Sequence, residues 1–427
     1  MLDKFEKISE ISVKLLKNKQ QSLDCPPNLK STKYLIMKKI LSSSILLAAA
    51  LSASAAPLVT VGDQLDLFFK GAVIGKWNSN ITTTSNSAKK YDDYSAVIRL
   101  GAEADYGRNS KFKANIKFFE DLIRYANKKE FNANLSHVAA NASYTESVFS
   151  LKANFSFDQN YQNTSQTLAA AQAGELVRSN DWRAGLLGSY DFSEKLFGEL
   201  GGNWQQKEYL GRWSNIYSDY DVYSIPLSVL YRITPKIALG LSYQYRYTSF
   251  DGGLASNRVL YGNNREDHFG GLTVRGDILP KLNISAYAGV SYRNQTSGIL
   301  AGDDTTFSCS MTASYELTEK VGLFLTGRRD FANGAERQSS VDSTCEFGAN
   351  YLLNQFVTFT TSFAYTNSDY IAINRNDDEY VGRVGVSYKP NKFLTLGANY
   401  RFLENCSNVA SARYNQHLVD ISVAVKY

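Results

Sequence analysis

The stretch that decides the fold runs Thr234-Pro235-Lys236-Ile237-Ala238-Leu239-Gly240-Leu241-Ser242-Tyr243-Gln244-Tyr245-Arg246-Tyr247-Thr248. After the Pro-Lys turn, Ile237, Leu239, Leu241, Tyr243, Tyr245 and Tyr247 share one face of a period-two chain. Ala238, Gly240, Ser242, Gln244, Arg246 and Thr248 take the other. An apolar face backed by a polar one, unbroken for about ten residues, suits a tilted strand crossing a membrane. Strands of soluble sandwiches are usually shorter. The split recurs with Leu394, Leu396, Ala398 and Tyr400 against Thr395, Gly397, Asn399 and Arg401. It recurs again with Ile284, Ala286, Ala288, Val290 and Tyr292 against Ser285, Tyr287, Gly289, Ser291 and Arg293.

Outward from that stretch, one unit repeats from about Leu65 to Tyr427: an alternating strand, a tight turn, a second strand and a longer polar connection. Copies of the tight turn stand at Phe192-Ser193-Glu194-Lys195, Thr234-Pro235-Lys236, Leu279-Pro280-Lys281, Thr318-Glu319-Lys320, Leu353-Asn354-Gln355 and Pro390-Asn391-Lys392. Their spacing, about 35 to 45 residues, is two strands plus two connections. The fold class is therefore all-β: a transmembrane antiparallel up-and-down β-barrel with short periplasmic turns and longer extracellular loops. Pairs of strands joined near Gly107, Glu146, Ser193, Pro235, Pro280, Glu319, Asn354 and Pro390, with one strand at each end, make about 18, with 16 as the alternative count. Tyr190, Tyr231, Tyr315 and Tyr388 beside the turns match an interfacial aromatic girdle. At the C-terminus Val419, Ile421, Val423, Val425 and Tyr427 share a face. Ile421, Val423, Val425 and the terminal aromatic resemble the signal that the barrel-assembly machinery recognises, a strand ready for edge pairing.

The composition agrees. The 427 residues hold 28 Tyr and 23 Phe but only 7 Pro, 3 Met and 3 His, a strand-like balance. Outside one early stretch no run of about 18 apolar residues occurs, which excludes helical membrane spans. That stretch starts at Met37-Lys38-Lys39 and ends at Ala53-Ser54-Ala55, a basic start, a short apolar centre and an A-x-A end. We read residues 37–55 as a cleaved signal peptide. Residues 1–36, with Cys25-Pro26-Pro27, are read as an over-extended gene start or dispensable extension, and 56–427 as the barrel. Residues 1–55 carry nine Lys and four acids, 9 − 4 = +5. Subtraction from 46 basic and 41 acidic residues leaves 37 of each, so the mature chain is neutral and its basic pI does not point to nucleic acid. Of the exported cysteines, Cys309 and Cys345 fall on strands separated by another, roughly 9 to 10 Å apart and beyond disulfide reach. With Cys406 they are expected to be unbridged wall residues.

The phrase Tyr231-Arg232-Ile233-Thr234-Pro235-Lys236-Ile237, with Tyr243-Gln244-Tyr245-Arg246-Tyr247 and the echo Tyr315-Glu316-Leu317-Thr318-Glu319-Lys320-Val321, resembles the putative β-barrel porin type 2 family. The resemblance implies a large outer-membrane barrel with a pore, and it transfers no catalytic residue.

Function is expected to reside in the lumen. Its polar registers contain Arg99, Lys113, Lys117, Arg183, Arg232, Arg246, Arg275, Arg293, Arg328, Arg383 and Arg401, against Glu103, Asp105, Glu199, Asp277, Asp330 and Glu346. Such charges either set an ion preference, here mildly for anions, or pair across strands to stiffen the wall. The longest outer connection, about Gln159 to Asn180 and including Glu175 and Arg178, has helix-forming composition in its middle and joins the fifth and sixth strands. It is the candidate constriction loop, with an exposed loop that never enters the barrel as the alternative. The expectation is a porin-like channel passing small hydrophilic solutes, in the outer membrane of a Gram-negative bacterium, reached through the periplasm. It would be surrounded by outer-membrane lipid, a monomer or homotrimer, and without cofactor or nucleic-acid partner. A substrate-specific or polysaccharide-export channel is the alternative, with Phe197, Phe269, Tyr287 and Phe324 as lumen aromatics. An outer-membrane hydrolase would need His137, His268 or His417 as base. Adjacent Asp267 and His268 point to opposite faces of a strand, which argues against a dyad.

Overall fold

The structure, a computed structural model, describes residues 57–85, 89–162, 175–295, 297–300 and 302–427. The expected signal peptide, the expected N-terminal extension and the middle of the long outer connection lie outside these residues. The described chain is β1 (Val59–Val61), β2 (Leu65–Asn78), β3 (Asp93–Tyr106), β4 (Phe112–Tyr125), β5 (Ala133–Thr145), β6 (Phe149–Gln162), β7 (Val177–Asp191), β8 (Leu196–Tyr209) and β9 (Ser218–Thr234). There follow β10 (Ile237–Gly252), β11 (Asn264–Leu279), β12 (Leu282–Asn294), β13 (Asp304–Thr318), β14 (Val321–Asn333), β15 (Ser339–Leu352), β16 (Val357–Tyr370), β17 (Asn376–Tyr388), β18 (Leu394–Ser407) and β19 (Tyr414–Lys426). Each strand from β2 to β19 pairs antiparallel with the next, and β19 returns to β2 with Val423 opposite Val73. The result is a closed 18-stranded antiparallel barrel. Closure pairs the strand edges along most of the wall, where unpaired backbone in lipid is costly; the outer end of β13, past Cys309, is the exception. At the seam Tyr427 exchanges two backbone hydrogen bonds with Phe69 at 2.6 and 2.9 Å. Beyond it β1 takes over as partner of β2.

The eight tight turns stand where the sequence places them, and local chemistry fixes them. Thr234 Oγ1 accepts from the amides of Lys236 and Ile237, Thr318 Oγ1 from those of Lys320 and Val321, and Asn391 Oδ1 from those of Phe393 and Leu394. These side chains replace the missing backbone acceptor of the turn. Gly107 has φ +88°, and a Cβ there would stand 2.0 Å from the Phe112 carbonyl oxygen, so the turn requires glycine.

Cross-lumen contacts identify the faces. Arg275 on β11 reaches Glu199 on β8 at 2.7 Å, and Arg246 on β10 reaches Asp330 on β14 at 2.9 Å. Contacts between strands that are not neighbours must cross the lumen, and residues opposite one another in a ladder share a face. The opposite register carries the exposed Leu241, Leu272, Val290, Phe347 and Val384, the belt that meets lipid. Tyr106, Tyr190, Tyr231, Tyr315, Tyr351 and Tyr388 ring its turn side. On the loop side the tilted rings of Trp182 and Phe157 meet at 4.1 Å, and Tyr365 meets Tyr380 at 5.3 Å. Tyr223 and Tyr231 mark the two levels on β9, about eight positions apart, roughly the height of an outer-membrane apolar belt. Strands of 13 to 17 residues therefore project past the belt at their loop ends.

Cys309, Cys345 and Cys406 are free. Cys309 and Cys345 face outward, with β14 between their strands.

Candidate functional site

The wall is not circular. In a round 18-stranded section, strands four apart stand about 20 Å from each other across the chord. That exceeds the combined reach of an Arg and an Asp side chain, so the Arg246 to Asp330 contact requires a wall that curls inward between β10 and β14, with the outer end of β14 standing inside it. Gly271 and Gly289, opposite one another on the inner face of β11 and β12, permit the bend. A Cβ on Gly289 would lie 2.1 Å from the Gly270 carbonyl oxygen, and one on Gly271 2.4 Å from that of Ala288.

Inside this bend lies the outer end of the β14–β15 hairpin. Its loop, residues 334–338, is buried together with Ser339, Ser340 and Val341, whereas connecting loops ordinarily lie on the surface. Arg337 pins it from the middle. Its guanidinium donates to Ser218 Oγ (2.7 Å), to the carbonyls of Gly262 (3.0 Å) and Gly252 (2.8 Å), and to Asn263 Oδ1 (2.5 Å). Its own carbonyl accepts from Arg265. Burial, with Arg258 nearby, pushes this guanidinium below its ordinary pKa. The residue also holds φ at +67°, a left-handed conformation that costs about 1–2 kcal/mol and persists only where contacts over-determine it. Beyond it Ala335 packs with Val177 and Tyr209 at the outer ends of β7 and β8 and with Trp213 and Tyr217 in the β8–β9 connection, and its carbonyl accepts from the Ser218 amide at 2.9 Å. The hairpin end thus crosses the lumen.

Below it lies an ionic core. Asp267 accepts from Nε and Nη2 of Arg293 (2.6 and 2.8 Å) and from Nε of Arg246 (2.7 Å), while Arg246 Nη1 holds Asp330 (2.9 Å). Arg293 donates onward to the Ala332 carbonyl and Ser339 Oγ of the hairpin end, and its guanidinium covers the Phe331 ring at 4.5 Å. Gln244, Phe269, Tyr287, Ser291 and Ser308 join Arg246, Asp267 and Asp330 around a recess of ≈ 10 Å³.

The remaining lumen charges are largely paired. Arg99 meets Asp121 (2.6 Å), Lys117 and Lys426 meet Glu103 (3.6 and 3.0 Å) with Lys70 also on that carboxylate, and Arg183 lies 4.0 Å from Asp158 and Asp181. Arg232 meets Asp191, Arg328 approaches Asp330 at 3.4 Å, and Arg383 meets Glu346 at 2.9 Å. Asn115 bridges Glu103 and Asp105, and Asp277 accepts from Asn283. Lys113 carries no ion pair among the described residues, and Arg401, opposite Arg383, keeps a buried Nε without a partner.

The expected constriction loop needs correction. Gln159, Arg178 and Asn180 are strand residues: β6 runs to Gln162, β7 starts at Val177, and Gln159 stands opposite Asn180. Strand ends that project beyond the belt tolerate polar residues, so a polar composition there did not mark a loop. Glu175 lies in the connection and binds Arg212 (2.5 Å) and Lys89 (3.6 Å), tying three outer loops together. Residues 163–174 lie outside the described residues.

Arg265, Arg337 and Ala335, which hold the hairpin end, were not singled out from the sequence, because Gly334-Ala335-Glu336-Arg337-Gln338 reads as an ordinary short polar loop. Among the candidate bases, His268 faces outward to Tyr243 (2.8 Å) while Asp267 faces the ionic core. His417 likewise faces outward to Tyr400, and His137 faces inward between Asp121 and Asp158. No serine or threonine hydroxyl contacts an imidazole nitrogen among the described residues.

A closed barrel with an apolar belt, aromatic girdles and a charged lumen defines an outer-membrane β-barrel. More particularly, residues 331–427 match the profile of a family described as Putative beta-barrel porin 2, in agreement with the resemblance of the strand-turn-strand phrases. No curated protein matches the sequence. Among solved structures the chain is similar to outer membrane protein opdK from Pseudomonas aeruginosa (11% identity over 85% of this chain and 99% of that one, TM-score 0.43). It is also similar to OccAB4 of Acinetobacter baumannii (10%, 86% and 100%, 0.44) and to the ferric-catecholate import receptor Fiu of E. coli K12 (10%, 88% and 82%, 0.42).

Proposed function

We propose that this barrel is a porin-like channel through which small hydrophilic solutes diffuse down their gradients, and that the β14–β15 hairpin end sets its bore. The observation that carries this reading is the polar inner register enclosed by a wall apolar on the outside, with a buried loop crossing between. Charge pairing leaves the lumen close to neutral in effect, with the excess basic through Lys113, Arg401 and the lysines around Glu103. The ion preference is therefore mild and toward anions. Diffusion needs no cofactor and no chemistry from the wall. The lipid around the belt and the assembly machinery that receives the C-terminal strand are its partners, as a monomer or homotrimer. Stepwise conductance in planar bilayers, with a reversal potential toward chloride in a salt gradient, tests the reading. A folded barrel that never conducts would refute it.

A substrate-specific channel is the second reading. Phe269 and Tyr287 meet edge to face at 5.0 Å on the inner face of β11 and β12, beside Arg246 and Asp330, an aromatic and charged pairing of the kind a solute-selective lumen would present. Conductance block that saturates with one solute and not with others would favour it.

A further inference from the structure

We propose that the outer end of β14 has a second seat, on the free edge of β13, and that exchange between the two seats gates the lumen; this rests on the channel reading above. The ladder between β13 and β14 stops at Cys309 opposite Arg329. On its other side β13 stays paired with β12 out to Asp304, and β14 stays paired with β15 out to Asn333. Residues Asp304 to Ser308 therefore present a strand edge that no described strand covers. The cause is that β14, past Arg329, turns inside the wall.

Phe331 shows the turn. By alternation with Leu323 and Leu325 it belongs to the lipid-facing register, yet it is 2% exposed and lies under Arg293, an inner-face residue of β12. Phe307, on the outer face of the uncovered edge, is 56% exposed. The two seats overlap like a lapped seam.

Continuing the existing register by one step places Ser308 opposite Asp330, then Phe307 opposite Phe331, Thr306 opposite Ala332 and Thr305 opposite Asn333. Every side chain then takes the environment its alternation prescribes: Phe331 joins Phe307 in the belt as a cross-strand aromatic pair, and Asp330 stays in the lumen. The first contact already exists, with Ser308 Oγ 3.4 Å from Asp330 Oδ1. The unpaired edge gains a ladder, which lipid favours. Against it stand the Arg246 to Asp330 pair, the Arg293 to Phe331 contact and the bonds of Arg337, all of which the lapped seat alone makes. Zipping the seam withdraws the loop from the lumen and takes Asp330 away from Arg246. The open state is therefore wider and more anion-selective than the lapped one.

The test is a cysteine pair that only the zipped seat brings together. In the full chain with the native cysteines replaced by serine, Phe307→Cys with Phe331→Cys is oxidised with copper-phenanthroline in isolated outer membranes. Thr305→Cys with Asn333→Cys, further along the edge, serves as a second pair should the first fail to fold. Arg329→Cys with Cys309 retained is the control, since these two are already opposite one another. The proposal expects crosslinks at all pairs. It also expects a severalfold larger conductance and stronger chloride preference in the oxidised 307–331 channel, both reversed by dithiothreitol. A control that crosslinks while neither edge pair does would overturn the second seat, as would a crosslinked channel of unchanged conductance. A barrel that crosslinks at the edge but conducts in neither redox state contradicts the channel reading, and the gate with it.

Discussion

Asp330 on β14 lies 2.9 Å from Arg246 on β10, although three strands separate them along the wall. This pair and the Arg293 to Asp267 pair beside it hold the hairpin end in the lumen. Breaking a buried pair by removing one partner costs about 3–5 kcal/mol. Asp330→Asn should therefore loosen the hairpin end, raising mean conductance and open-state noise and lowering the temperature at which the folded band is lost on heat-modifiability gels. Unchanged conductance would mean that the pair does not set the bore.

Arg337→Ala removes four side-chain hydrogen bonds of the loop and an unfavourable backbone conformation stays behind. At about 1 kcal/mol or more for each bond to a charged group, the loop should leave its seat. The measurable outcome is a larger single-channel conductance in a barrel whose folded yield stays near that of the native chain. Arg337→Lys, which cannot match the fork of bonds, should behave more like alanine than like arginine.

The bend of the wall depends on glycine. Gly289→Val places branched carbon against the Gly270 carbonyl and should cost at least about 2 kcal/mol through overpacking and altered wall curvature. The folded fraction in outer membranes should fall. Gly270→Ala is the matched control, because nothing lies within 4 Å of a Cβ there and the residue faces outward.

Much of the wall was legible in the sequence because period two is local. Tyr243 and Arg246 declare opposite faces without reference to any other strand, and Thr234, Thr318 and Asn391 carry the acceptors that close their own turns. The strand number followed from counting those turns. The hairpin end was not legible, for a physical reason. Phe331 alternates as a lipid-facing residue should, and only the long-range contacts of Arg246, Arg265 and Arg293 draw it inside. The same holds for the pairing of lumen charges: Arg275 and Glu199 are 76 positions apart, and no local pattern marks them as partners.

Ion preference should respond to Glu103, the carboxylate shared by Lys70, Lys117 and Lys426. Glu103→Gln leaves three ammonium groups on one wall with no countercharge between them. The reversal potential in a salt gradient should move toward chloride. Lys117→Gln should move it the other way, by less, because two lysines remain on the carboxylate. Identical reversal potentials in both variants would place the selectivity elsewhere in the lumen.

The most direct measurement of the central claim is single-channel conductance of the protein purified from outer membranes, recorded in planar bilayers under a chloride salt gradient. The account predicts stepwise openings with a modest conductance for so large a barrel and a reversal potential displaced toward chloride. A correctly folded barrel that inserts and stays electrically silent would contradict it.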